Sequence, residues 1–171
     1  MKETMRKILL FVIAISALTF SGCASLKMTP EEKAATEAKI QENLDNRTYC
    51  IDVDQVLPRR GGTRHVTNYS LTVDGDKLIS HLPYFGQAWN LPYGGGKGMS
   101  FESKISDYIE SYPKPDRRQI TLATNNGEDS FVFVIEVFNN GKSTIDVRSR
   151  NREPISYYGI MSTNPPAQSE R

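Results

Sequence analysis

The feature that most constrains the fold is a change of sequence pattern near residue 47. From there to residue 160, apolar and polar residues alternate in short runs, such as TYCIDVDQVLP at 48–58, and turn-forming sequences separate the runs. A period of two places the apolar side chains on one face of an extended strand. The pattern therefore predicts an all-β domain over residues 47–160.

The turn sequences predict how the strands are connected. Asp74 and Gly75 lie between the runs YSLTV and LISHL, which is a hairpin signal because this pair tolerates positive φ angles. Later runs are joined by NNGED and NNG, and YPKP at 112–115 is expected to break any regular element. Seven or eight strands at this spacing predict an antiparallel meander, closed into a small barrel or folded as a sandwich. The polar residues 161–171 are expected to form a disordered tail.

The first 22 residues are typical of a secretory signal peptide, with a net-basic start before the apolar run from Ile8 to Leu18. That run is too short to span a bilayer as a helix, which takes about 20 residues. The FSGC that follows resembles the lipobox of bacterial lipoproteins, although Phe20 stands in the place of the usual leucine. We expect residues 1–22 to be removed and Cys23 to be acylated, which would anchor the protein to a membrane. The alternative is an ordinary signal peptide whose cleavage falls beside a cysteine.

One helix is predicted ahead of the β domain. Thr29 is a suitable N-cap and Glu32 completes a capping box with it. The apolar pair at helical spacing, Ile40 and Leu44, forms a stripe too narrow for a core helix. We therefore expect residues 23–46 to be a lipidated N-terminus and a solvated helical stalk, docked at its C-terminal end.

Charge and cysteine content restrict the classes of function. Losing residues 1–22 removes three basic residues and one acidic residue, which takes the formal net charge from +1 to about −1. A domain that binds nucleic acid usually carries a clear basic excess, so nucleic acid is not expected as a partner. Cys50 is the one cysteine left once Cys23 is acylated, so no disulfide is expected within the chain.

The glycine-rich sequence YGGGKGMS at 93–100 has the composition of a phosphate-binding loop but not its spacing. A P-loop places a serine or threonine directly after its lysine and leads into a helix. Here Lys97 is followed by Gly98, and the next residues alternate as in a strand. The dinucleotide fingerprint fails as well, because it requires a βαβ unit. We expect no nucleotide or other cofactor.

The loop that these glycines end is rich in large rings. Tyr84, Phe85, Trp89 and Tyr93 fall within ten residues, and Trp89 is the only tryptophan of the chain. Two interpretations stay open: the rings cap the core at one end of the sheet, or they form a surface for a ligand or partner. In both we expect one apolar cluster at an end of the β domain, with residues 94–98 as its hinge.

Residues with catalytic or metal-binding potential are few. His65 and His81 are the only histidines, and neither belongs to a cluster with ligand spacing, so no metal site is expected. The nucleophile-elbow and zinc-protease motifs are absent from the sequence. Cys50 would become a nucleophile only if a histidine met it in space, and we expect an inert packing residue.

A row of basic residues follows the strand predicted at KSTIDV. Arg148, Arg150 and Arg152 fall on one face if that strand continues. Charged residues commonly protect an edge strand against aggregation. Binding of an anionic glycan or a lipid phosphate is the alternative role for such a row.

Several segments together resemble a known family. They are YSLTVDGDKLISHLPYFGQAW, GMSF, FVFVIEVFNNGKSTIDVRS and EPISYYGI, and LPYFG at 82–86 is the most specific of the pieces. The chain is similar through them to small lipoproteins of Gram-negative gut bacteria, the family named domain of unknown function 4251. The resemblance covers residues 47–160, implies an all-β fold and a lipid anchor, and transfers no catalytic residue.

These observations predict a membrane-anchored envelope lipoprotein that is a non-enzymatic binding or assembly module, with an envelope protein or a glycan as its partner. The sequence ASLKM after Cys23 lacks the acidic run that sends such lipoproteins to the cell surface. We therefore expect the periplasmic face of the outer membrane. The alternative is a periplasmic hydrolase that uses Cys50 or a histidine–carboxylate pair, although no motif has catalytic spacing.

Overall fold

The computed structural model describes residues 28–90, 96 and 98–165 of the 171-residue chain. Within these residues one α-helix, α1 (Pro30–Asp45), precedes eight β-strands. The strands are β1 (Thr48–Pro58), β2 (Arg64–Asp74), β3 (Lys77–His81), β4 (Ser100–Lys114), β5 (Arg117–Asn125), β6 (Ser130–Phe138), β7 (Lys142–Ser149) and β8 (Ile155–Met161).

The eight strands form a closed antiparallel barrel. Each strand pairs with its neighbours in the sequence, and β8 closes the sheet by pairing with β1. Closure removes the unpaired edges that an open sheet would present. The prediction of an all-β antiparallel meander preceded by one helix is therefore confirmed, and of the two predicted architectures the structure adopts the barrel.

Alternation along the strands fills the inside of the barrel with side chains. In β5, for example, Arg118, Ile120, Leu122 and Thr124 are buried and the residues between them are partly exposed. Eight strands enclose a space that side chains can fill completely. The largest side chains with almost no exposure include Tyr49, Tyr157, Phe131, Phe133, Ile51, Leu71, Leu78, Leu122 and Ile135. The interior is therefore a packed core.

The helix contributes more to this core than its sequence predicts. Ile40 and Leu44 are completely buried and belong to the same hydrophobic cluster as the barrel interior. The described residues from Lys33 onward lie in one compact unit. Most of α1 therefore belongs to the same compact unit as the barrel. Two apolar residues are enough for α1 to join the core, because the helix covers only one end of the barrel. Covering a barrel end takes a narrower apolar stripe than covering the face of a sheet.

A buried arginine fixes α1 to the barrel. Arg118 is 5% exposed, and its guanidinium donates hydrogen bonds to Oε1 of Gln41 at 2.8 Å and to Oδ1 of Asp45 at 2.7 Å. Its other terminal nitrogen lies 3.4 Å from Oε2 of Glu110 on β4. A buried charge is tolerated when it is paired in this way.

The first turn of α1 has the predicted capping box, since the amide of Glu32 donates to Oγ1 of Thr29 at 3.2 Å.

The prediction that YPKP breaks any regular element is wrong, because β4 continues through it to Lys114. The register between β4 and β5 shifts between Ser111 and Lys114. Pro113 therefore lies at an irregularity, where its missing N–H removes no regular ladder bond. The turn to β5 begins only at Pro115.

The up-and-down order of the strands places the connections at two ends of the barrel. The helix end carries α1 and the turns at 75–76, 115–116 and 139–141. Of the described residues, the loop end carries 59–63, 82–90, 96, 98–99, 126–129 and 150–154. Tyr84, Phe85 and Trp89 therefore lie at the loop end.

Candidate functional site

The first part of the aromatic loop, residues 82–90, is fixed by backbone hydrogen bonds to the neighbouring connection. The amide of Trp89 donates to the carbonyl of Asn151 at 3.1 Å. The amide of Glu153 donates to the carbonyl of Gln87 at 2.9 Å. These bonds extend the pairing of the sheet beyond the barrel and hold the loop backbone in position.

Tyr84 points towards the core. It is half-buried and packs against the core cluster, and its hydroxyl lies 2.7 Å from the carbonyl oxygen of Gln87 and 3.1 Å from that of Glu153. Burial is the main reason that the pKa of Tyr84 is raised. Beneath it the completely buried Tyr157 donates to the carbonyl of Pro83 at 2.8 Å. Of the predicted aromatic residues, Tyr84 thus has the capping role.

Phe85 and Trp89 instead face outwards. Phe85 is 39% exposed, and the guanidinium carbon of Arg64 lies 4.9 Å from its ring centroid. Trp89 is 58% exposed. The expectation of one apolar cluster does not hold for these two rings, because the backbone bonds of the loop turn them away from the core. Tyr93 and most of the predicted hinge lie outside the described residues.

A buried ion pair lies behind the rings. Nε of Arg152 is 3.6 Å from Oδ2 of Asp129, and the two side chains are 4% and 2% exposed. The amide of Ser130 donates to Oδ1 of Asp129 at 2.8 Å, and the Arg152 guanidinium lies 5.5 Å from the Tyr84 ring centroid. Sequence reasoning missed this pair. The sequence NNGED could have indicated a fixed turn at this place. Oδ1 of Asn126 accepts hydrogen bonds from the amides of Glu128 and Asp129, both at 2.9 Å, and these bonds fix the turn that carries Asp129.

The predicted basic row is wrong for Arg152. Strand β7 ends at Ser149, so the three arginines do not share one strand face. Arg148 and Arg150 are exposed while Arg152 is buried. Protection of an edge is also not their role, since the closed barrel leaves β7 paired on both sides.

Exposed arginines lie at the loop end, and one of them, Arg64, contacts the ring of Phe85. Arg59, Arg60 and Arg64 all lie in or beside the β1–β2 connection and are exposed. The neighbouring acid Glu153 is 8% exposed; its carboxylate accepts the amide of Gln87 at 3.3 Å and lies 4.0 Å from Arg60. At the loop end, the side chains of Arg59, Arg60 and Arg64 are therefore exposed to solvent, whereas the carboxylates of Asp129 and Glu153 are buried.

The structure gives the hydrolase alternative no specific support. The sulfur of Cys50 lies 3.3 Å from Oγ1 of Thr72 and 4.0 Å from Oδ1 of Asp52, and burial raises the pKa of the thiol. An activated thiol nucleophile requires the opposite shift. Nδ1 of His81 lies 3.0 Å from Oγ of Ser100, on an exposed face of the barrel.

Other predicted features fall partly outside the described residues. These include Cys23, the signal peptide and the end of the predicted tail. Among the described residues, no group of three or more His, Cys, Asp or Glu side chains is placed to hold a metal ion. In the same part of the chain, no helix is long and apolar enough to cross a membrane.

Comparison with known proteins gives a family and a fold. Residues 31–161 match the family described as domain of unknown function (DUF4251). The chain is also similar to the crystal structure of a DUF4251 family protein from Bacteroides eggerthii DSM 20697, with a TM-score of 0.58 and 18% identity over 75% of this chain and 90% of that one. At this identity the similarity shows the fold alone. No curated protein matches the chain.

Proposed function

This chain belongs to the DUF4251 family, and we propose that it is a membrane-anchored lipoprotein of the cell envelope whose barrel is a non-enzymatic binding module. The anchor is Cys23, and the protein faces the periplasm from the outer membrane. The binding surface is the loop end, where Phe85 and Trp89 make the principal contacts and Tyr84 supports them; Tyr93, from the same loop, is a further contact.

The observation that carries this proposal is the exposure of Trp89 on a backbone that is held in place. Burying a large apolar side chain is worth roughly 1.5–3 kcal/mol, so the barrel gives up stability by leaving this ring 58% exposed. The bond from its amide to Asn151 fixes the backbone from which the ring projects. Loop residues that a rigid scaffold holds in position commonly make binding contacts, and an arginine lies beside the neighbouring ring of Phe85.

Connectivity supports an anchor that leaves this surface accessible. The chain enters the barrel at the helix end, through α1 into β1. A lipid on Cys23 would therefore be attached through the helix end, whereas the proposed binding surface lies at the loop end. The supporting evidence for the lipid itself is the FSGC sequence behind a short apolar run.

Site-specific photo-crosslinking tests the binding surface. A photoreactive amino acid replaces Trp89 in one variant and Tyr112 in a control variant, since Tyr112 is 66% exposed but lies near the helix end of β4. In intact envelopes of the native host we expect a discrete crosslinked product from position 89 and none of the same mass from position 112. Equal products from both positions, or none from position 89, would refute a loop-end binding surface.

Mass spectrometry of the mature N-terminus tests the anchor separately. We expect an acylated Cys23 as the first residue. The Cys23→Ser variant should remain uncleaved or become soluble, because serine offers no thiol for acylation. An unmodified N-terminus at another residue would end the lipoprotein proposal and leave the binding surface untouched.

A further inference from the structure

We propose that the ligand of the loop end is an acidic polysaccharide, a chain of sugar rings that carry carboxylates. The proposal rests on the binding function proposed above and names the chemistry that the surface recognises. Three features of the described residues support it: the sign of the exposed charge, an open groove next to the β7–β8 connection, and two exposed rings that are not paired with each other.

The charges at the loop end are arranged for an anion. Arg59, Arg60 and Arg64 are exposed, and the side chain of Arg60 is 73% exposed even though it approaches Glu153. The carboxylates of Glu153 and Asp129 are almost completely buried within the loop end. The remaining acid of these connections, Glu128, is half-buried and already interacts within the protein. An incoming carboxylate therefore meets guanidinium groups, whose planar fork matches it.

An open groove of about 580 Å³ lies between the β1–β2 and β7–β8 connections. Its lining is formed by Leu57, Pro58, Arg59, Gly62, Pro154 and Ser156. Pro154 directly follows Glu153, whose amide is bonded to the aromatic loop, so the groove and the exposed rings share one connection. The volume is in the range of small-ligand sites, and because the groove is open to solvent a linear chain can extend beyond it.

The two rings are better suited to sugars than to a protein surface. Among the ring contacts of the described residues, Phe85 is paired with Arg64 and not with Trp89. A protein interface needs a contiguous apolar centre that excludes water, which two separate half-exposed rings do not supply. A single aromatic face is enough for the apolar face of one sugar ring. Each ring can therefore stack on one sugar while the arginines bind the carboxylates.

A titration of the full-length protein in detergent tests this inference. The probe is polygalacturonate, and the signal is the emission of Trp89, the only tryptophan of the chain. Dextran supplies sugar rings without charge, and polyglutamate supplies carboxylates without rings. We expect a saturable change with polygalacturonate and at least roughly tenfold weaker binding of both controls. Binding should weaken further as salt is raised, because exposed charges are screened.

Charge-reversal variants locate the site. Arg59→Glu should weaken binding of polygalacturonate by about tenfold or more. Lys114→Glu makes the same charge change on an exposed residue at the helix end, and it should change binding by less than about twofold. Equal effects of the two variants would overturn the assigned site.

The probes separate the possible failures. If dextran binds as tightly as polygalacturonate, the carboxylates are not what the surface recognises, and the proposal is overturned. If polyglutamate binds as tightly, the sugar rings are not needed, and the ligand is a generic acidic partner instead. If none of the three binds, the acidic polysaccharide is wrong. The binding function itself is then still decided by crosslinking from position 89, since that experiment assumes no ligand class.

Discussion

At the scale of single residues, exposure decides what each aromatic side chain does. Trp89 is 58% exposed, whereas Phe133 is completely buried in the barrel interior. We expect Trp89→Ala to change the free energy of unfolding by less than about 1 kcal/mol. Phe133→Ala, the control for a core ring, should cost roughly 3–5 kcal/mol because it leaves a cavity. Urea denaturation followed by circular dichroism measures both, and a Trp89→Ala cost as large as that of Phe133→Ala would show that the indole is part of the core.

The same argument applies to the thiol of Cys50. The residue is 6% exposed, and burial raises its pKa, so the reactive thiolate form is disfavoured at neutral pH. We expect iodoacetamide to alkylate Cys50 more slowly in the native protein than in urea. In the native protein, the rate should rise only when the pH exceeds the ordinary pKa of a thiol. Mass spectrometry of the peptide that contains Cys50 measures both rates. Faster alkylation in the native state would point to an activated thiol and would revive the hydrolase alternative.

At the scale of elements, α1 acts as the closure of the helix end. Ile40→Ala and Leu44→Ala should each lower the free energy of unfolding by about 2–5 kcal/mol, because both side chains are completely buried. Glu37→Ala is the matched control on the exposed face of the same helix, and it should change stability by less than about 0.5 kcal/mol. Thermal or urea denaturation distinguishes the two outcomes. Small effects at all three positions would mean that α1 adds little to the stability of the barrel, as expected of a solvated stalk.

The elements also show what the sequence can predict and what it cannot. The bounds of β1 follow directly from period-two alternation, because Tyr49, Ile51 and Val53 lie on its buried face. The role of α1 does not follow, since hydropathy alone cannot tell a narrow stripe facing water from one that covers the end of a barrel. Likewise, the rings of the loop predict a special surface, but their directions depend on the bonds to Asn151 and Glu153. Those bonds join segments that are distant in the sequence.

At the scale of the whole molecule, the barrel depends on the pairing of its first and last strands. Gly159 of β8 lies opposite Val53 of β1, beside the irregularity between Val53 and Gln55. A Cβ at Gly159 would lie 2.9 Å from the carbonyl carbon of Asp52 and 3.1 Å from the Cα of Val53. Both neighbours are backbone, which cannot rotate away as a side chain can. The close approach of the two strands therefore requires glycine at this position.

We accordingly expect Gly159→Ala to lower the free energy of unfolding by at least about 1–3 kcal/mol, the range for overpacking a buried site. The loss should be local at first: hydrogen exchange should increase for the amides that pair β1 with β8, while those between β5 and β6 keep their protection. Gly75→Asn is the control, because the hairpin turn has open space there and asparagine tolerates its φ of 58°. If hydrogen exchange and stability are unchanged in Gly159→Ala, β1 and β8 can separate at this point without opening the barrel. The core packed inside the barrel, rather than the close approach of these two strands, would then keep the sheet closed.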